Sequence, residues 1–166
     1  MITCEIPPIR MLVLTLTGRC NFKCLYCYAS EQDPVDMTEE TAIAAVALAH
    51  VSKNQFLLQF SGGEPLLQFP LIRKVVDFVE KNHVNAQMQI QTNGALLTKD
   101  IGKWLFDHNV GIGISCDGRP ELMNSLRVSK DGDRSSQKVI QAFQNLGEVN
   151  IEAGITCVVT DDTVEQ

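Results

Sequence analysis

Three cysteines, Cys20, Cys24 and Cys27, fall within eight positions of the stretch TGRCNFKCLYCYAS. Thiolates are soft ligands, suited to zinc or to iron–sulfur clusters. Structural zinc takes four ligands, commonly two separated pairs, and no second cysteine pair or histidine lies beside this triplet. His50 sits in an alanine-rich stretch, while His83 and His108 fall where helices should end, a favourable helix-dipole position for such side chains. A four-iron cluster held by three cysteines leaves one iron without a protein thiolate. In catalytic metal sites an open coordination position is where a reacting ligand binds. Cys4, Cys116 and Cys157 remain as sources of a fourth thiolate. Cys116 is foremost by position, although strand alternation turns it away from Ser115 and Asp117.

Other features of the chain agree with a cluster rather than a disulfide framework. The 166 residues are 45% hydrophobic and 20% charged, enough for one domain with a normal core spanning residues 1–166. A net charge of -6 argues against a nucleic-acid partner. No stretch approaches a membrane span, and the apolar run Met11 to Leu16 is shorter than a signal-peptide core. The expected setting is the cytoplasm, with no membrane partner, where thiols stay reduced.

The elements that must position the triplet alternate in kind. The strands expected are Met11–Thr17, Phe56–Phe60, 87–91 (QMQIQ), 110–115 (VGIGIS) and Ile151–Val159. Between them lie helical stretches. One starts after Thr38 with Glu39 and Glu40 in its first turn. A second carries Ile72, Val75, Val76 and Val79 on one face. A third is opened by Thr98, and a fourth carries Val139, Phe143 and Leu146. Such alternation predicts an α/β fold of parallel βα units. Right-handed crossovers place every strand-to-helix loop at one sheet edge.

Each loop at that edge is unusual. CNFKCLYC follows the first strand, SGGEP (Ser61 to Pro65) the second, QTNG (Gln91 to Gly94) the third and SCDG (Ser115 to Gly118) the fourth. Any one of these can be a plain glycine turn. Four polar loops meeting a cysteine cluster at one rim make a site.

The C-x3-C-x2-C triplet with Tyr26 before the last cysteine, and GGEP after the second strand, resemble the radical S-adenosylmethionine superfamily. QTNG, then S-x-DG, then Arg127 are most similar to the branch of anaerobic sulfatase-maturating enzymes and peptide maturases. The resemblance implies a partial TIM-type barrel, a [4Fe–4S] cluster on Cys20, Cys24 and Cys27, and S-adenosylmethionine on the open iron. It implies an oxidoreductase or maturase chemistry. Reductive cleavage of the cofactor gives a 5′-deoxyadenosyl radical that removes hydrogen from a peptide or protein side chain. An electron donor such as flavodoxin or ferredoxin is the implied partner.

By position, the resemblance sets Tyr26 against the adenine and Gly62, Gly63 and Glu64 against the methionine amine, with the Glu64 carboxylate as an acceptor. Thr92 and Asn93 lie near the cofactor, Ser115 meets the ribose, and Arg127 clamps the methionine carboxylate. A solvated loop charge is the other reading of Arg127. Asp117 either faces the substrate or closes an Asx-type turn. Ser136 stands where the branch usually has an aromatic residue. The chain ends shortly after the fifth strand, without the sixth strand or the cysteine-rich extension of the branch, so the expectation is a barrel core truncated after strand five. A non-catalytic electron-transfer or cluster-binding module is the alternative function.

Overall fold

The computed structural model describes residues 8–160 and Val164. Its centre is a five-stranded sheet of β1 (Met11–Thr15), β3 (Phe56–Ser61), β4 (Ala86–Thr92), β5 (Val110–Ser115) and β7 (Gly154–Thr156), paired in that order. Every pairing is parallel, from Leu14↔Phe60 through Phe60↔Ile90 and Ile90↔Ile112 to Ile114↔Ile155. The helices are α1 (Glu39–Ala49), α2 (Phe69–Lys81), α3 (Lys99–Asp107), α4 (Pro120–Leu126) and α5 (Ser135–Glu148). The remaining two strands, β2 (Phe22–Cys24) and β6 (Arg127–Ser129), form a separate antiparallel ladder.

The two faces of the sheet differ because strand side chains alternate. One face presents Phe56, Leu58, Phe60, Met88, Ile90, Val110, Ile112 and Ile114, all buried against the helices. From α2 come Ile72, Val75, Val76 and Val79, the predicted stripe, and each such burial is worth about 1.5–3 kcal/mol. From α5 come Val139 and Leu146, and Leu146 lies so near Gly102 of α3 that a Cβ there would sit 2.5 Å from it. The opposite face carries Gln59, Gln89, Gln91 and Ser115, only half-buried. Gln89 donates to Gln59 at 2.6 Å, and Gln91 donates to Ser115 at 3.1 Å. This polar face, not the helix-covered one, leads to the site.

Helix starts follow local chemistry. Thr38 and Thr98 cap α1 and α3, accepting from the Thr41 and Ile101 amides at 3.2 Å each. Two strands are shorter than the sequence suggests. The first stops at Thr15, since Thr17 turns to bridge Asp36 and donates to its carboxylate at 2.6 Å. The fifth spans only Gly154–Thr156, after which Val158 donates its amide to Asp117. α4 and the β2–β6 ladder have no counterpart in the sequence expectations.

Candidate functional site

All four unusual loops meet at the carboxyl edge of the sheet. The cysteine loop is held there by backbone bonds to a distant segment. Cys24 pairs with Arg127, Lys23 with Val128 and Phe22 with Ser129. Leu25 adds an amide bond to Leu126 O at 2.8 Å. Within the loop, Cys27 N bonds Cys24 O at 3.2 Å, a tight turn that brings two thiols together.

Cys20, Cys24 and Cys27 line one cavity of about 370 Å³, with Gly63, Asn93 and Lys130 among its other walls. Among the described residues, no trio of His, Cys, Asp or Glu converges as a single metal ion requires. A shared cavity with three thiols around it suits a cluster better than structural zinc. Burial pushes the Cys20 and Cys24 thiols above their ordinary range. The Phe22 amide opposes this at Cys20 and the Arg127 cation opposes it at Cys24, while the neighbouring thiols reinforce it. A cationic cluster would relieve that mutual repulsion. Cys116 faces away from the cavity, its thiol 3.7 Å from the Met123 sulfur, and packs against the core. Cys157 is exposed and is not among the residues lining that cavity. Cys4, the third source considered, lies outside the described residues.

A second cavity of about 360 Å³ adjoins the first, and the two share Cys24, Cys27, Ala29, Gly63 and Asn93. Its further walls are Tyr26, Gly62, Thr92, Ser115 and Arg127, with Ser61, Gln91 and Val158. Seven of the eight residues assigned to a cofactor thus line one space.

Glu64 is the exception. It lines neither cavity, and its side chain is wholly buried behind them. Its carboxylate accepts from Thr92 Oγ1 at 2.8 Å, Asn93 N at 2.8 Å and Leu66 N at 2.9 Å. Burial pushes the Glu64 carboxyl up, opposed by these donors. A direct bond from this carboxylate to a ligand amine is therefore not what the geometry provides. The preceding glycines explain the arrangement. Gly63 N and Glu64 N donate to Thr17 O and Arg19 O, at 2.8 and 2.9 Å. A Cβ on Gly62 would lie 2.6 Å from Thr17 O, and one on Gly63 would lie 2.3 Å from Arg19 O. The glycines serve this backbone-to-backbone packing, which engages the Gly63 and Glu64 amides.

Arg127 is not a solvated charge: its side chain is 6% exposed. Its Nη1 donates to the Tyr26 hydroxyl at 2.6 Å and lies 3.5 Å from Asp117 Oδ2. Its Nε is buried without a partner among the described residues. Tyr26 donates its hydroxyl to Asp117 Oδ2, and Asp117 Oδ1 accepts from Val158 N at 3.1 Å. Burial, then the Asp117 contact, drives the Tyr26 phenol far above its ordinary pKa, so it stays protonated. Both Asp117 oxygens are thus engaged by Tyr26, Arg127 and Val158, and the residue joins three segments internally. Ser136 is buried, its amide donating to Asn124 Oδ1 at 3.0 Å. The histidines stay out of the site. His50 and His108 cap α1 and α3, His108 stacking on Trp104, and His83 follows α2. Gln91 was missed as a wall of the second cavity; the alternation of glutamines with Met88 and Ile90 was the available signal.

The parallel half-barrel edge thus bears a three-thiol cavity beside a polar, arginine-lined one. Residues 14–166 match the Radical SAM superfamily, and the chain belongs to it. An uncharacterised protein of Methanocaldococcus jannaschii is 40% identical over 152 residues, covering 90% of this chain and 53% of that protein. The cysteine-type anaerobic sulfatase-maturating enzyme of Clostridium perfringens is 30% identical over 169 residues, covering 95% and 46%. The solved structure of native anSMEcpe with bound AdoMet and Cp18Cys peptide superposes with a TM-score of 0.84 at 27% identity, over 96% of this chain and 45% of that one. The chain thus spans about half the length of the relatives it matches. Among the described residues, no helix is long and apolar enough to cross a membrane.

Proposed function

We propose that this chain is the catalytic core of a radical S-adenosylmethionine enzyme that modifies a peptide or protein side chain in the cytoplasm. The observation that carries this reading is the pair of adjoining cavities. One is walled by Cys20, Cys24 and Cys27 and the other by Tyr26, Ser115 and Arg127, with Gly63 and Asn93 common to both. The three thiols would hold a [4Fe–4S] cluster, and the second cavity would hold S-adenosylmethionine. Bound together, the pair would supply the reductive cleavage that generates a 5′-deoxyadenosyl radical, and a flavodoxin or ferredoxin would be the electron source.

The chain's own part is positioning. Arg127, buried with an unpartnered Nε, suits the methionine carboxylate, a charge-assisted bond. Carbonyl oxygens at the Gly62–Gly63 turn suit the amine. Ser115, tied to Gln91, suits a ribose hydroxyl. Peptide chemistry is supported by the likeness to the sulfatase-maturating enzyme and to the peptide-bound structure.

The test is anaerobic. The protein is loaded with iron and sulfide, reduced, and mixed with S-adenosylmethionine, and 5′-deoxyadenosine is measured. Its formation is the expected result. A cluster whose spectrum ignores the cofactor, with no 5′-deoxyadenosine, would instead favour a non-catalytic electron carrier.

A further inference from the structure

Glu64 follows two glycines at the rim of the site, yet its carboxylate touches no cavity. Both oxygens are used inward, on Thr92, Asn93 and Leu66. Two of those partners are the residues that open the turn after β4. Thr92 Oγ1 also accepts from Gly94 N at 3.0 Å, which fixes the turn from both sides.

Asn93 is what this clamp presents. Its Oδ1 accepts from Ala95 N at 2.9 Å, and that bond sets which way the amide faces. Its Nδ2 therefore points to the cysteine loop, donating to Asn21 Oδ1 at 2.7 Å and reaching Cys20 Sγ at 3.8 Å. Cys20 Sγ also accepts from a backbone donor, Phe22 N at 3.3 Å. The Phe22 donor belongs to the cysteine loop itself. The Asn93 donor comes from the end of another strand, 73 residues away in sequence, and stays in place through the Glu64 carboxylate.

Hydrogen bonds to cluster sulfurs are among the factors that set reduction potential. A donor opposite a cysteine sulfur stabilises the more negative, reduced state, so it raises the potential. We propose that Glu64 is a positioning residue: its buried carboxylate holds Asn93 so that the Asn93 amide donates to the Cys20 sulfur and raises the reduction potential of the cluster bound there. The inference rests on the cluster reading above. It gives the acidic residue of GGEP a task on the cluster side of the site, reached through Asn93.

The test uses the reconstituted holoprotein, with iron and sulfide content measured first and the midpoint potential then read from an EPR-monitored titration. Asn93→Ala keeps its iron, but its potential falls, cutting the ratio of reduced to oxidised cluster several-fold at a fixed solution potential. Asn93→Ser, which can still cap Ala95 but falls short of Cys20, behaves alike. Glu64→Asp retains the charge while shortening the reach by one methylene. It lowers the potential in the wild-type background and adds nothing to Asn93→Ala, the signature of one residue acting through the other. A full cluster whose potential is unmoved by both Asn93 variants overturns the proposal. So does a Glu64→Asp shift that is equal in the two backgrounds, or loss of the cluster from both Asn93 variants while they stay folded. A wild-type protein that assembles no cluster removes the proposed function and this inference with it.

Discussion

Asp117→Ala should reveal how much of the site is held by one buried carboxylate. Asp117 is fully buried and Arg127 nearly so, at 0% and 6% side-chain exposure. Removing one partner of a buried ion pair costs about 3–5 kcal/mol, chiefly because the remaining charge is stranded. The lower end applies here. The direct Arg127–Asp117 contact is 3.5 Å, and the Tyr26 hydroxyl at 2.6 Å still faces the guanidinium after the change. For a domain of this size 1 kcal/mol moves Tm by about 2–4 °C, so a loss of about 3 kcal/mol lowers it by roughly 6–12 °C. The assay is thermal and urea unfolding of the cluster-free protein, run with Arg127→Leu and the double variant. If stranded charge is the cause, the double variant is more stable than the sum of the singles predicts, by at least about 1 kcal/mol. An Asp117→Ala protein within about 0.5 kcal/mol of wild type, the range of an ordinary surface change, would refute the reasoning. Strict additivity in the double variant would do the same.

Further expectations follow from other parts of the site. Cys24→Ala should lose the cluster, so iron content after reconstitution drops from about four per chain to near background. Gly63→Ala should lower stability by about 1–3 kcal/mol in urea unfolding, the usual range for overpacking, because its Cβ would meet a main-chain oxygen that cannot swing aside. Asp131, held by Lys138 and Ser129, has its carboxyl lowered to about 2. Its folded pKa lies below the unfolded value, so its contribution is present above about pH 4 and fades as pH falls toward 2. Carboxyl chemical shifts followed by NMR should show this titration, and Lys138→Ala should move it upward; a midpoint unaffected by Lys138→Ala would discard the pairing.

The regular elements were legible because each has a local signature. Thr38 and Thr98 announce their helices by capping, and the α2 stripe by its period. The four loops that follow β1, β3, β4 and β5 could be placed on one edge from handedness alone. What stayed hidden depends on partners far along the chain. FKC and RVS carry no period of their own, and only their pairing makes them strands. Arg127 looked as much like a loop charge as a ligand because its burial comes from Tyr26, 101 positions earlier, and from Asp117. Glu64 lies at the expected rim, with its carboxylate turned inward to Thr92, Asn93 and Leu66. Nothing in GGEP tells whether a carboxylate turns toward a ligand or toward the next strand's turn. The short fifth strand had a similar cause, since the Asp117 carboxylate takes the Val158 amide.

The β2–β6 ladder has a consequence for how the protein is made. The cysteine loop is complete by residue 27, but the strand that pins it spans Arg127–Ser129, and the amide that faces Cys20 sits at position 93. As the chain leaves the ribosome, its three thiols emerge roughly a hundred residues ahead of the backbone that arranges them. Pairings this distant form late. The three-thiol cavity therefore closes only when most of the described sheet exists, so under the proposed function cluster loading follows the pairing of β2 with β6, and the nascent thiols stay open to oxidation until then.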